Sequence, residues 1–339
     1  MRPCALAPLA PLDELRRFGL RLAGRPGVML FARREVRVTV VGTASVVTAL
    51  VCTGVLPLWS LVLGPIALGV PHLIADLRYL VLRPGVHLRR GFAPFIALPL
   101  AATLIVPHLS LGLVAVAGAC ALARTALWVR IAGALAGAAA AVALARIGRP
   151  GEIVFAHVHN LVALGLWWSW RPRRPMHQLL PVCAFAAGAL AIGVGLVDTW
   201  SLRSGALAPI LGGRIGVEDL AAGMSPFIDP VWALRALLLF AFGQSVHYAV
   251  WLRLVPEDDR PRPAPRPFTA SVQALVADCG GPLLAIAAAV ALGLVLYAAF
   301  DAYAARMLYL RLALFHGPLE LVAIALRVLD RTPIGAPIR

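Results

Sequence analysis

The sequence predicts an all-α, polytopic transmembrane bundle, and three observations carry that prediction. Hydrophobic residues make up 60% of the 339, charged residues only 14%, and the mean hydropathy is +0.85; this is the balance of a membrane protein rather than a soluble globule. Apolar runs near the ~20 residues a helix needs to cross a ~30 Å hydrocarbon core recur along the chain. The arginines gather in alternate connections between those runs, as the positive-inside rule requires.

The first 36 residues form a basic segment, with seven arginines and only Asp13 and Glu14 opposing them before Glu35. The stretch Pro11 to Arg25 is patterned as a surface amphipathic helix. It lacks the roughly 7–15-residue apolar core of a cleavable signal, so the first span is expected to act as an uncleaved anchor. About ten spans follow (eight to ten), at 37–57, 59–82, 92–107, 109–124, 128–146, 152–170, 178–197, 231–253, 281–300 and 303–328. Region 92–146 holds either two spans or three, because Arg124 and Arg130 interrupt it. These spans make one transmembrane domain over 37–328, followed by a tail at 329–339.

Orientation follows from the arginines. Arg83, Arg89 and Arg90, then Arg124 and Arg130, then Arg171, Arg173 and Arg174, then Arg253, Arg260, Arg262 and Arg266 all fall in connections on one side. The other side carries only Arg149, Arg203 and Arg214. Both termini are therefore expected in the cytoplasm, in a multi-pass protein of a bacterial inner membrane. Residues 256–268 read as a Pro-rich cytoplasmic linker without regular structure within the domain. Residues 198–230, with Gly212, Gly213, Glu218 and Asp219, form a longer outer segment that has room for a short interfacial helix or lid.

Net charge is +15 with no lysine. The arginines flank apolar spans, so the lipid bilayer is the expected partner and nucleic acid is not. Cys4, Cys52, Cys120, Cys183 and Cys279 are scattered, form no CxxC pair, and read as small apolar residues. His87, His108 and His177 fall at span ends, and Trp167, Trp168 and Trp170 read as an interfacial belt.

The other five histidines, His72, His157, His159, His247 and His316, lie inside spans, where ionisable groups are costly and mark function. His72 and Asp76 are four apart and share a helix face, with Pro71 able to kink the helix at the histidine. His316 and Glu320 repeat that spacing beside Pro318. Gln244, His247 and Tyr248 lie within one turn. His157 and Asn160 share a face, whereas His157 and His159 are about 200° apart, so both can meet one metal only if the helix is broken there.

Spans two, six, eight and ten run the same way, and their histidines lie 6 to 14 residues from the arginine at the cytoplasmic end. That is roughly 9–21 Å of depth at helical rise. Four helices thus deliver imidazole to about the same level, which isolated packing histidines have little reason to do. Neutral imidazole is a common metal ligand, and a multi-histidine site with open positions suits iron that works with oxygen. Asp76 and Glu320 are candidate partners that orient the rings and raise their basicity.

At these motifs the chain resembles the membrane-bound β-carotene 15,15′-dioxygenases, the Brp/Blh family. The likeness rests on GVPHLIAD at 69–76, HVHN at 157–160, QSVHYAVW at 244–251 and FHGPLE at 315–320, about thirty residues in all. The family pattern carries Gly after the first histidine and commonly His after the Asp, where this chain has Leu73 and Leu77. HVHN also differs from the family's aromatic-rich motif. The resemblance implies a polytopic helical fold and cleavage of the central double bond of a carotenoid by O₂ to two retinals. It implies Fe(II) held by His72, His247, His316 and one of His157 or His159, with Tyr248 and Gln244 near the reacting oxygen and Asp76, Glu320 and Asn160 supporting the site. A carotenoid of bilayer length would set its central bond at the level of the histidines.

Two other classes compete. One is another membrane metalloenzyme acting on an apolar lipid or isoprenoid. The other is a transporter or proton relay lined by the same histidines and carboxylates, although no inverted repeat is visible. A haem carrier lacks paired axial histidines around the alanine-rich 133–144 stretch, and a di-iron desaturase normally has more clustered histidines.

Overall fold

The computed structural model describes residues 9–170, 176–204, 216–225, 228–260 and 262–332, and every regular element among them is helical. The α-helices are α1 (Ala10–Leu22), α2 (Gly24–Ala32), α3 (Arg34–Val55), α4 (Pro57–Asp76), α5 (Leu98–Ile105), α6 (Leu109–Leu122), α7 (Leu127–Ile147), α8 (Arg149–Trp168), α9 (Met176–Gly193), α10 (Asp198–Ser204), α11 (Val217–Met224), α12 (Pro230–Ala249), α13 (Val255–Asp259), α14 (Phe268–Cys279), α15 (Gly281–Ala298), α16 (Ala302–Leu312) and α17 (His316–Leu329).

Six helical stretches among the described residues are long and apolar enough to cross a membrane: Arg34–Val55, Pro57–Leu82, Leu127–Ile147, Pro230–Asp259, Gly281–Ala298 and Ala302–Leu329. The other expected spans are also helices, but shorter or more polar. At 14 residues, α6 rises only about 21 Å, short of a ~30 Å core. Region 92–146 therefore holds three helices, the first two short.

Two spans change their hydrogen-bond pattern midway. Helix α4 continues through Pro65 and Pro71, and after Asp76 the chain winds as a π-helix over Leu77–Leu82. The π segment thus follows the carboxylate of Asp76 directly. After α12 the chain does the same over Val250–Leu254. Single π turns inside α-helices are frequent at functional sites, and both of these begin within five residues of an intramembrane histidine.

The arginine-rich ends meet on one side of the bundle. Arg37 forks onto Glu257, with Nε to Oε1 at 3.1 Å and Nη2 to Oε2 at 2.8 Å. Arg34 pairs with Asp258, Arg83 with Asp259, and Arg78 with Asp278 at 2.6 Å. These pairs join the start of α3 to the ends of the second and eighth spans, so those two run parallel to each other and opposite to α3. They also correct the linker: residues 255–259 are helical, with Glu257, Asp258 and Asp259 buried, because their carboxylates meet arginines from two neighbouring spans. Among its described residues, 260 and 262–267 lack helix.

The tryptophans depart from the expected belt. Trp167 and Trp170 are fully buried, and only Trp168 is exposed. Trp170 meets Tyr79 and Trp251 edge-on, with ring centroids 6.3 and 6.0 Å apart. Residues three apart share a face, so 167 and 170 both point inward and 168 turns away. Of the described cysteines only Cys120 is buried; all four are free. His87 and His177 sit at helix ends, the latter 3.4 Å from Glu35; His108 is exposed beside Glu152.

Helix α1 has no buried residue and exposes Leu12, Leu15, Phe18 and Leu22, the stripe of a helix lying on an apolar surface. It is attached through Asp13, which accepts from the backbone N–H of Phe268 at 2.5 Å and from the Thr269 hydroxyl at 2.6 Å. Asp13 thereby caps α14 in place of Pro267, whose side chain cannot. Segment 198–230 supplies α10 and α11. Gly212, Gly213 and Arg214 within it, and Arg171, Arg173, Arg174 and Cys4 elsewhere, lie outside the described residues.

Candidate metal centre

Four helical segments bring four imidazoles to one point. His72 comes from α4, His159 from α8, His247 from α12, and His316 from the first turn of α17. Ring centroids are 4.8 Å apart for His72–His247, 4.9 Å for His72–His316, 5.1 Å for His159–His247 and 4.9 Å for His159–His316. The Nε2 atoms face one another, at 2.8 Å between His72 and His247 and 3.0 Å between His159 and His316.

The tautomers of one pair follow from its backbone contacts. Nδ1 of His159 lies 2.8 Å from the Ala156 carbonyl, and Nδ1 of His316 bonds the Ala313 carbonyl. A carbonyl only accepts, so both Nδ1 atoms carry the proton. In the neutral rings both Nε2 atoms then present lone pairs. Two lone pairs 3.0 Å apart repel unless a cation lies between or beside them. His316 reaches this position because the tenth span breaks at residues 313–315 and restarts at His316. Gly317 lets that first turn approach α8: a Cβ there would lie 2.8 Å from Phe155 Cε1 and 3.5 Å from His159 Cδ2.

Two carboxylates close the site. Asp76 Oδ2 is 3.3 Å from His72 Nε2, and Glu320 Oε1 is 3.4 Å from His247 Nε2. Both acids are fully buried. One ligand atom each of His72, Asp76 and Glu320 lie within 4.8 Å of one another, as do those of His72, His247 and His316. The carboxylates thus address Nε2, the nitrogen that points into the cluster, whereas an acceptor that only orients a ring would address Nδ1. Trp251 Nε1 donates to Glu320 Oε1 at 2.7 Å. Both Asp76 oxygens and Glu320 Oε2 have no hydrogen-bond partner among the described residues. Buried carboxylate oxygens without partners are costly. An array of imidazole and carboxylate donors left in that state fits a divalent transition-metal ion.

The remaining expected residues fall at different distances from this point. Helix α8 is unbroken, so His157 and His159 diverge. His157 Nδ1 and Nε2 lie 2.9 and 3.3 Å from the Ile153 and Ala236 carbonyls, and its ring packs on Phe240. The Asn160 amide bonds its own helix, with Nδ2 donating to the Ala156 carbonyl at 3.3 Å, and packs on Gly243. Tyr248 meets His72 edge-on with centroids 5.1 Å apart. Gln244 is buried with its Oε1 unpartnered among the described residues.

A cavity of about 490 Å³ opens against the cluster, lined by His159, His247, His316, Gln244 and Tyr248 and by mostly apolar side chains of α8, α11, α12 and α16, with Arg149, Glu152, Asp219 and Arg306 among them. That volume is within the range of pockets for one small ligand. Trp251, Arg306 and Tyr309 lie outside the set of residues expected at the site. Trp251 is four residues after His247 and shares its face; Arg306 is an ionisable residue inside the tenth span, which is itself a signal. Comparison with protein-family models, curated proteins and solved structures finds no match for this chain.

Proposed function

We propose that the chain is an integral-membrane, iron-dependent oxygenase that cleaves a double bond of a carotenoid-like apolar substrate. The observation that carries this reading is the convergence of four imidazole Nε2 atoms and two buried carboxylates, three of whose oxygens have no partner among the described residues, at the end of a mostly apolar cavity. His72, His159, His247 and His316 are the proposed iron ligands, with Asp76 and Glu320 beside them. Fe(II) would supply the activation of O₂ that a hydrocarbon double bond requires.

The protein's own part is positioning. Trp251 holds Glu320, the Ala156 and Ala313 carbonyls hold two rings in one tautomer, and the apolar wall excludes water and aligns the substrate chain. Tyr248 and Gln244 offer hydrogen bonds to oxygen atoms as they arrive on the substrate. One C=C bond and one O₂ become two carbonyls, so no further reductant is needed. The proposal includes about ten spans with both termini in the cytoplasm of a bacterial inner membrane.

The close His72–His247 pair also suits a second reading, a proton relay in which the two rings share a proton. The two readings part on metal content. In a β-carotene-accumulating bacterium, co-expression is expected to yield retinal above an empty-vector control, and His72→Ala is expected to abolish it at equal protein level. Bound iron without retinal would move the reading to another membrane metalloenzyme; neither iron nor retinal would leave the relay.

A further inference from the structure

Of the charged residues that line the same cavity, Arg306 is the one that lies deepest in the chain's apolar spans. Arg306 of α16 is only 3% exposed. Part of its role is structural: Pro65 has no N–H, so the Leu61 carbonyl four residues earlier lacks its helical donor, and Arg306 Nε donates to it at 2.8 Å. That uses one of five guanidinium N–H groups. Nη1 reaches only Met307 Sδ, at 3.5 Å, a weak acceptor. Arg306 forms no ion pair with a carboxylate among the described residues; its ionisable neighbours are Tyr303 and Tyr248.

Tyr248 spans the gap to the histidines. Its ring lies against His72, and Tyr309, Arg306, Asp76 and Gln244 are also its neighbours. Gly69 leaves room for Tyr309: a Cβ there would overlap the phenol ring, its hydroxyl oxygen 2.8 Å away. The guanidinium, Tyr303 and Tyr309 thus form a polar patch about one tyrosine side chain from the histidine cluster, in a mostly apolar cavity whose other charged lining residues are Arg149, Glu152 and Asp219. A buried cation with most of its donors unmet is costly in a low-dielectric wall. A guanidinium presents a planar fork that matches a carboxylate with two parallel hydrogen bonds, whereas a pure hydrocarbon leaves it unpaired.

We infer that this cavity takes an apolar chain ending in a carboxylate, with Arg306 reading the acid group and the chain running past Tyr248 to the histidines. The inference rests on reading the cavity as the substrate site and makes a polyene acid the preferred substrate, with a hydrocarbon such as β-carotene the weaker one. The test uses the purified full chain in detergent and two fluorescent polyene probes, cis-parinaric acid and its methyl ester, titrated into wild type, Arg306→Lys and Arg306→Met. Iron content is measured in parallel.

Wild type is expected to bind the acid at least tenfold more tightly than the ester, in iron-loaded and chelator-treated protein alike. Arg306→Met is expected to lose that preference while retaining iron; Arg306→Lys, which keeps a donor for Leu61, retains part of it. Equal binding of acid and ester by wild type, or an unchanged preference in Arg306→Met, overturns the acid subsite and leaves the oxygenase reading standing. Absence of binding by either probe overturns the subsite too, and only the further absence of iron removes the parent reading.

Discussion

At the residue scale, the site turns on which atoms the side chains present. His157 and His159 have the same chemistry and nearly the same depth, but an unbroken helix sends them apart. His159→Ala is therefore expected to lose iron from the purified protein, and His157→Phe to keep it; elemental analysis of both decides the matter, and iron loss in the second alone would sink the assignment. Trp251 acts through Glu320. Trp251→Phe keeps most of the ring and removes the 2.7 Å N–H donor. Losing such a support typically weakens metal binding by about 10–100-fold, which a chelator competition titration would read. Of these residues the histidines were legible from depth alone, whereas the direction of Asp76 and Glu320, toward Nε2, depends on helices far apart in sequence.

At the element scale, the bundle joins irregular helices to rigid attachments. The two π segments and the break before His316 all lie within a few residues of the cluster, in the spans that carry it. Elsewhere, attachments come from side chains of distant elements, as with Asp13 on the start of α14. The Thr269 hydroxyl first, and the backbone N–H groups of Phe268 and Thr269 after it, hold the Asp13 carboxyl below its ordinary value. A depressed carboxyl contributes above the ordinary aspartate value, near about 3.9, and that contribution is lost as pH falls through the folded value. Asp13→Ala is accordingly expected to raise amide exchange across residues 10–32 at neutral pH without changing iron content, and lowering the pH well below about 4, through the depressed folded value, should do the same to wild type. Unchanged exchange in the variant would show that α1 is held by its apolar face alone.

At the scale of the whole molecule, the ion pairs on one side fix the relative direction of the spans. Arg37 with Glu257 and Arg83 with Asp259 need the start of α3 and the ends of the second and eighth spans at one level. Fusions to a reporter fluorescent only in the cytoplasm, placed at residue 264 and at the C-terminus, should both light up, and a fusion within 205–215 should stay dark. The opposite pattern would invert the orientation and leave the site unchanged. The sequence by itself determined that the chain is helical, where its apolar helices fall and that several histidines share one depth, because hydropathy and the 1.5 Å rise are local properties of a segment. The tertiary structure alone decided that α8 offers His159 and not His157, that Trp167 and Trp170 are core, that residues 255–259 are a buried helix, and that Arg306 faces the cavity. Each of these depends on which side of a helix meets which neighbour, and segments far apart in the chain supply that neighbour.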